Sequence, residues 1–192
     1  MAEKDPYLII AFFPSAEAAQ EAGMAMKEWD KERKDIDLGA MSILTVDAQG
    51  ELHEAAVGDR KTGSGAKWGV LAGAALGLLT GGVGLIGGAI VGLAAGALGG
   101  SLFHKKIGMT DDDQQRLESH LKAGGAALAT MMDFDEIESV ISEFNKMDAE
   151  VATYNVPQEV LDDLDRMAKG EKVIQDRIEK DTSVEMPGEE PD

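Results

Sequence analysis

Apolar positions along this chain gather into short unbroken runs, into helical stripes, and into one long segment with almost no polar side chain. The run YLIIAFF (7–13) is continuously apolar, which predicts a buried strand. Pro14 stops it, and Ser15 predicts the N-cap of a helix reaching about Lys34, with Ala18, Ala22, Met26 and Trp29 on one face. AMSILTV (40–46), the turn DAQG (47–50) with its glycine last, and ELHEAAV (51–57) predict a strand, a tight turn and a returning strand. Further on, Thr110 predicts the cap of a helix over TDDDQQRLESHLK, where Asp111 to Asp113 favour the positive end of the helix dipole. AALATMM (126–132) predicts another strand. Asp133 with Glu136 three residues later predicts a capping box, opening a helix with Ile137, Val140, Ile141, Phe144 and Met147 at helical spacing. EVATYNV (150–156) predicts the last strand, closed by Pro157.

Strand–helix–strand therefore occurs twice, over 7–46 and 126–156. Two such units sharing one sheet predict an α+β fold, a ferredoxin-like sandwich whose two helices cover one sheet face. The expected organisation is a discontinuous α/β domain (1–57 and 110–156) interrupted by a glycine-rich apolar insertion (58–109). An acidic amphipathic helix (157–180) and a disordered tail (181–192) follow. Val160, Leu161, Leu164, Met167, Ala168, Ile174 and Ile178 give that helix its apolar stripe, to pack back onto the domain or onto a neighbour.

Within the insertion the glycines keep a four-residue register. Gly65, Gly69, Gly73, Gly77 and Gly81 form one series; Gly84, Gly88, Gly92, Gly96 and Gly100 form a second, with the break at TGGVG (80–84). Such spacing lays each series along one helix face, where a missing side chain lets another helix backbone come close. The pattern predicts a glycine-zipper hairpin of two antiparallel helices, about 66–79 and 83–103. The uncharged run Trp68–Phe103 would be about 54 Å long as a single helix, too long for a hydrocarbon core of about 30 Å. Folded as a hairpin, its second arm can span, while the shorter first arm would be re-entrant or would thin the bilayer. Arg60, Lys61 and Lys67 precede it and His104, Lys105 and Lys106 follow it, so a hairpin puts both basic flanks on one, cytoplasmic, side. Trp68 and Phe103, with Lys67, Lys105 and Lys106, are the expected membrane-interface residues. Burial between subunits of a soluble assembly is the competing environment, because so large an apolar surface is not left in water.

Charge and composition narrow the functional classes. The formal net charge is -18, with Asp+Glu 36 against Lys+Arg 18, which argues against a nucleic-acid partner. Cysteine is absent, so disulfides and thiolate metal sites are excluded. The N-terminus lacks a basic region and cleavage motif, so no secretory signal is read and the main domain is expected in the cytoplasm. His53, His104 and His120 stand apart without metal-ligand spacing and are expected at the surface. GVGLIG (82–87) matches a dinucleotide fingerprint by spacing alone, lacking the preceding strand and later acid; GDRKTGSGAK (58–67) lacks the lysine–hydroxyl ending of a P-loop. Asp111–Asp113 suit capping better than cation binding, since a helix N-terminus repels cations. No nucleophile elbow occurs. The expectation is a non-enzymatic protein with no cofactor and no metal.

LIIAFFPSAEAAQEA, SILTVDAQGEL, the glycine-rich stretch from Trp68 to Gly100, IGMTDDDQQRLESHLKAGGAALATM and EVATYNV together resemble a bacterial family of uncharacterised predicted membrane proteins, domain of unknown function 1269. The resemblance covers about residues 7–156 and leaves the acidic extension outside. It implies a glycine-rich membrane-associated segment inside an α/β domain and offers no catalytic residues. Three functions remain open: a membrane-associated homo-oligomer assembled through the hairpin and touching lipid, with a stress- or envelope-related role; a soluble self-assembling ring, filament or shell; and a module binding lipid or another apolar ligand.

Overall fold

A strand of seven apolar residues has no polar side to show water, so it must be covered on both faces. The computed structural model of the chain, which describes residues 5–33, 36, 38, 41–50, 52–57 and 103–162 (103 and 104 by backbone only), places that strand accordingly. The elements are β1 (Tyr7–Phe13), α1 (Ala16–Glu32), β2 (Met41–Val46), β3 (Leu52–Ala56), α2 (Phe103–Lys106), α3 (Asp111–Lys122), β4 (Ala126–Met132), a 3-10 turn (Phe134–Glu136), α4 (Ile137–Lys146) and β5 (Glu150–Asn155). The strands form one five-stranded sheet in the order β3-β2-β4-β1-β5, every neighbouring pair antiparallel. β1 thus lies between β4 and β5, with Tyr7 opposite both Met132 and Asn155. The protein is α+β.

Alternation along β1 divides the core into two clusters. Ile9, Ala11 and Phe13 join Ala19, Ala22 and Met26 of α1 and Ile137, Val140 and Phe144 of α4. Leu8, Ile10 and Phe12 join Leu117 and Leu121 of α3, together with Ile107, Met109, Val160 and Leu161. The two helices of the strand–helix–strand units do share one face, as the sequence predicts. The opposite face is covered as well, by α3 and by the residues flanking it, a layer the sequence reading did not assign. The α1 ridge that is buried is Ala19, Ala22, Gly23 and Met26; Ala18 and Trp29 sit on its flank, partly buried.

Local chemistry accounts for the element ends. The Ser15 hydroxyl accepts from the Ala18 amide and caps α1. Gly50 closes the β2–β3 turn at φ +82°, its amide donating to the Asp47 carbonyl, a backbone setting that a side chain at this position would strain. Thr110 caps α3 in a full capping box: its hydroxyl accepts from the Asp113 amide, and the Asp113 carboxylate accepts from the Thr110 amide at 2.9 Å. The box expected at Asp133 and Glu136 is not formed. Residues 134–136 wind as a 3-10 turn, so the Glu136 amide donates to the Asp133 carbonyl, and the Asp133 side chain makes no capping bond.

The Thr110 backbone amide, and after it the Thr110 hydroxyl, hold the Asp113 carboxyl below the ordinary aspartate value. Its stabilising contribution is therefore present above the unfolded value of about 3.9 and fades as pH falls through the lower folded value. Thr110→Ala should cost about 1 kcal/mol of unfolding free energy at neutral pH, measured by urea titration. The same variant keeps the backbone amide and loses only the hydroxyl, so the acid-side loss of stability should flatten in part; a steeper acid limb would count against the hydroxyl's share.

Candidate functional site

The sequence points to the insertion, and the described residues define how it is attached. Register fixes the ends of the sheet: Tyr7, Met132 and Asn155 lie in one row, Ile9, Thr130 and Met41 in the next but one, and Ser42 opposes Ala56. Val57 follows β3 there, its amide donating to the Met41 carbonyl at 2.9 Å. Its side chain is buried on the α1 side of the sheet, against Gly23. The chain is next described at Phe103, in α2, and then buries Ile107 and Met109 on the α3 side. α3 starts at this same end, since it leads through residues 123–125 into the far end of β4, opposite Phe13. The insertion therefore departs from one face of the sheet and returns on the other, both junctions pinned by buried side chains at one end.

That end gathers further groups. The Val156 amide donates to the Pro6 carbonyl, and residues 158–162 form a helical turn whose Val160 and Leu161 are buried beside Ile107 and Met109. These are the first two positions of the amphipathic pattern predicted after Pro157. Phe134 stands at the foot of β4 with its ring 5.8 Å from that of Tyr7. Lys105 pairs with Asp111 at 3.5 Å, both largely exposed, so the pair is of small energetic weight. Lys105 and Lys106 are helical in α2, as is the Phe103 backbone. Gly65, Gly69, Gly73, Gly77, Gly84, Gly88, Gly92, Gly96 and Gly100, with Lys67 and Trp68, lie outside the described residues.

A second polar constellation lies on the α3 face. The Arg116 guanidinium rests 4.9 Å from the centre of the Phe12 ring and forms an ion pair with Glu150. His120, one helical turn on, meets the same ring edge-on at 5.3 Å, and its Nε2 lies 2.8 Å from the Phe13 carbonyl oxygen, to which the Nε2–H donates. His120 is thus half-buried and structural, not the surface histidine expected. Gly125 makes room for it: a Cβ there would come within 2.3 Å of Nε2. The pair of glycines at 124 and 125 signals a turn in the sequence, but nothing in it announces a ring packed above. Burial pushes Tyr154 up to about 12, the Asp113 charge adding to the shift and Arg116 opposing it. These groups bond to one another and to the backbone; their chemistry is that of a fastened helix–sheet interface.

At the opposite end, His53 Nε2 lies 2.7 Å from Asp47 Oδ2 in the β2–β3 turn, an exposed pair as expected for His53. On β2 the Ser42 hydroxyl donates to Glu54 at 2.6 Å. Among the described residues no group of three or more His, Asp or Glu is placed to hold a metal ion. Among those same residues no helix is long and apolar enough to cross a membrane; the Gly65–Gly100 segment is not among them.

A family model described as "Protein of unknown function (DUF1269)" matches residues 64–183. The matched span takes in the glycine-rich insertion, α3, β4, α4 and β5. It continues past Pro157 to residue 183, so most of the acidic extension falls inside the family's span and residues 184–192 lie outside it, whereas the sequence resemblance ends at residue 156. β1, α1, β2 and β3 precede it. No curated protein and no solved structure matches the chain.

Proposed function

The chain belongs to the DUF1269 family, and from its own residues we propose a non-enzymatic, membrane-associated oligomer. In this reading the glycine-zipper hairpin inserts in the cytoplasmic membrane, its glycine faces hold helices together within and between copies, and the α/β body stays in the cytoplasm. The observation that carries it is the attachment. An apolar segment with two in-register glycine rows hangs from one end of a sheet whose faces are both already covered. Among the described residues both faces of the central strands are already covered within the body, which favours lipid or other copies as the shield for the segment. The strand order β5-β1-β4-β2, with β3 added at the edge, supports the ferredoxin-like reading of the body.

Detergent-free fractionation with a carbonate wash, followed by sizing, tests the reading. The chain is expected in the washed membrane fraction as an oligomer. Gly77→Leu or Gly92→Leu is expected to separate the helices and reduce the particle to smaller species. Recovery as a large particle in the soluble fraction would replace lipid by neighbouring copies as the shield. An unaltered particle in both variants would remove the glycine rows from assembly altogether.

A further inference from the structure

We infer that the sheet end bearing Tyr7, Met132 and Asn155 is the end the body turns toward the lipid surface, with Phe134 as its interfacial side chain. The inference rests on the membrane reading above and adds an orientation and a contact residue to it. Three observations converge. Both junctions of the insertion, Val57 and Ile107, are buried at this end on opposite faces, so a membrane-held insertion keeps this end nearest the bilayer. Of the described residues, the large hydrophobics that are exposed are Met24, on α1, and Phe134, at this end. Phe134 is 46% exposed, yet its ring is held against Tyr7 and so is presented in a fixed direction. A phenyl ring held in this way suits the boundary between headgroups and acyl chains, where its apolar body is sheltered while its polar neighbours stay wet.

The charges around the ring specify the lipid. Asp133, Asp135 and Glu136 flank Phe134, Asp111 and Asp112 stand at the start of α3, and Glu159 and Asp162 lie in the 158–162 turn; Lys105 and Lys106 are the cations of α2. Among the described residues of this end carboxylates outnumber cations, which favours a zwitterionic headgroup over an anionic one.

The chain has no cysteine, so a spin label can be placed at a single introduced thiol. Full-length Phe134→Cys and Gln49→Cys proteins, the second in the exposed β2–β3 turn at the far end, are labelled and bound to phosphatidylcholine vesicles after urea titration has shown both folded. The label at 134 is expected to lose several-fold of its accessibility to a water-soluble relaxation agent and to gain accessibility to oxygen. The label at 49 should match that of free protein. Equal aqueous accessibility at both positions on bound protein overturns the orientation and leaves the hairpin reading standing. Shielding of position 134 from both agents assigns it to a protein contact and overturns the lipid contact. Absence of the protein from the vesicle fraction overturns both.

Discussion

Phe144→Ala is expected to lower the unfolding free energy by about 3–5 kcal/mol, a large share of the roughly 5–15 kcal/mol typical of a domain. Phe144 is fully buried on α4, its ring 6.4 Å from that of Phe13 in an edge-on approach, among Ile9, Ala11, Met132 and Val140. Truncation removes the transfer energy of the ring and leaves a void between a helix and the strand at the centre of the core. β1 is bonded on both sides, by β4 and β5, so the backbone cannot move in to close that void. Urea titration should show a lower midpoint with an unchanged slope. A loss below about 1 kcal/mol would show that the site collapses, and with it that the α4 layer is loosely held.

Gly23→Leu is expected to destabilise by about 3 kcal/mol, although leucine favours a helix over glycine by about 1 kcal/mol. A Cβ at this position meets the Val57 Cγ atoms at 2.8 and 2.9 Å and Leu128 Cδ1 at 3.1 Å. Val57 cannot turn away: its branched side chain has few rotamers, and its amide is bonded to Met41. Relief must therefore come from α1 lifting off the sheet. The cycle of Gly23→Ala with Val57→Ala isolates the clash. The alanine at 23 should destabilise beside valine and stabilise beside alanine, a coupling of about 1–2 kcal/mol. No coupling would mean that α1 does not rest on the residue from which the insertion departs.

Much of this fold is legible in residue order. YLIIAFF and AALATMM are strands with the limits their apolar runs suggest, and Ser15 and Thr110 cap the helices that follow them. Those features are local: a cap or a strand run is decided within a few residues. The second layer was not legible, because the polar surface of α3 hides how few apolar residues it needs, Leu117 and Leu121, to close a sheet face. Gly23 and Gly125 were likewise silent, since what they admit, Val57 and the His120 ring, comes from another element in the first case and from a packed helix end in the second. At Asp133 the motif was present and the geometry was not, the tighter 3-10 turn having redirected the amide that the carboxylate would have accepted. For the candidate site, the glycine register is entirely a property of the sequence, whereas its points of attachment emerge only from strand pairing.

The place of β4 in the sheet sets an order of events during synthesis. β1 and β2 do not touch as neighbours; each pairs with β4, which is translated after the whole apolar insertion. The ribosome therefore releases the glycine-rich segment while the body still lacks its middle strand, with only the β2–β3 hairpin able to pair. That segment thus leaves the ribosome before a finished domain can stand in its way, and closure of the sheet comes afterwards as the step that fixes both of its roots in place.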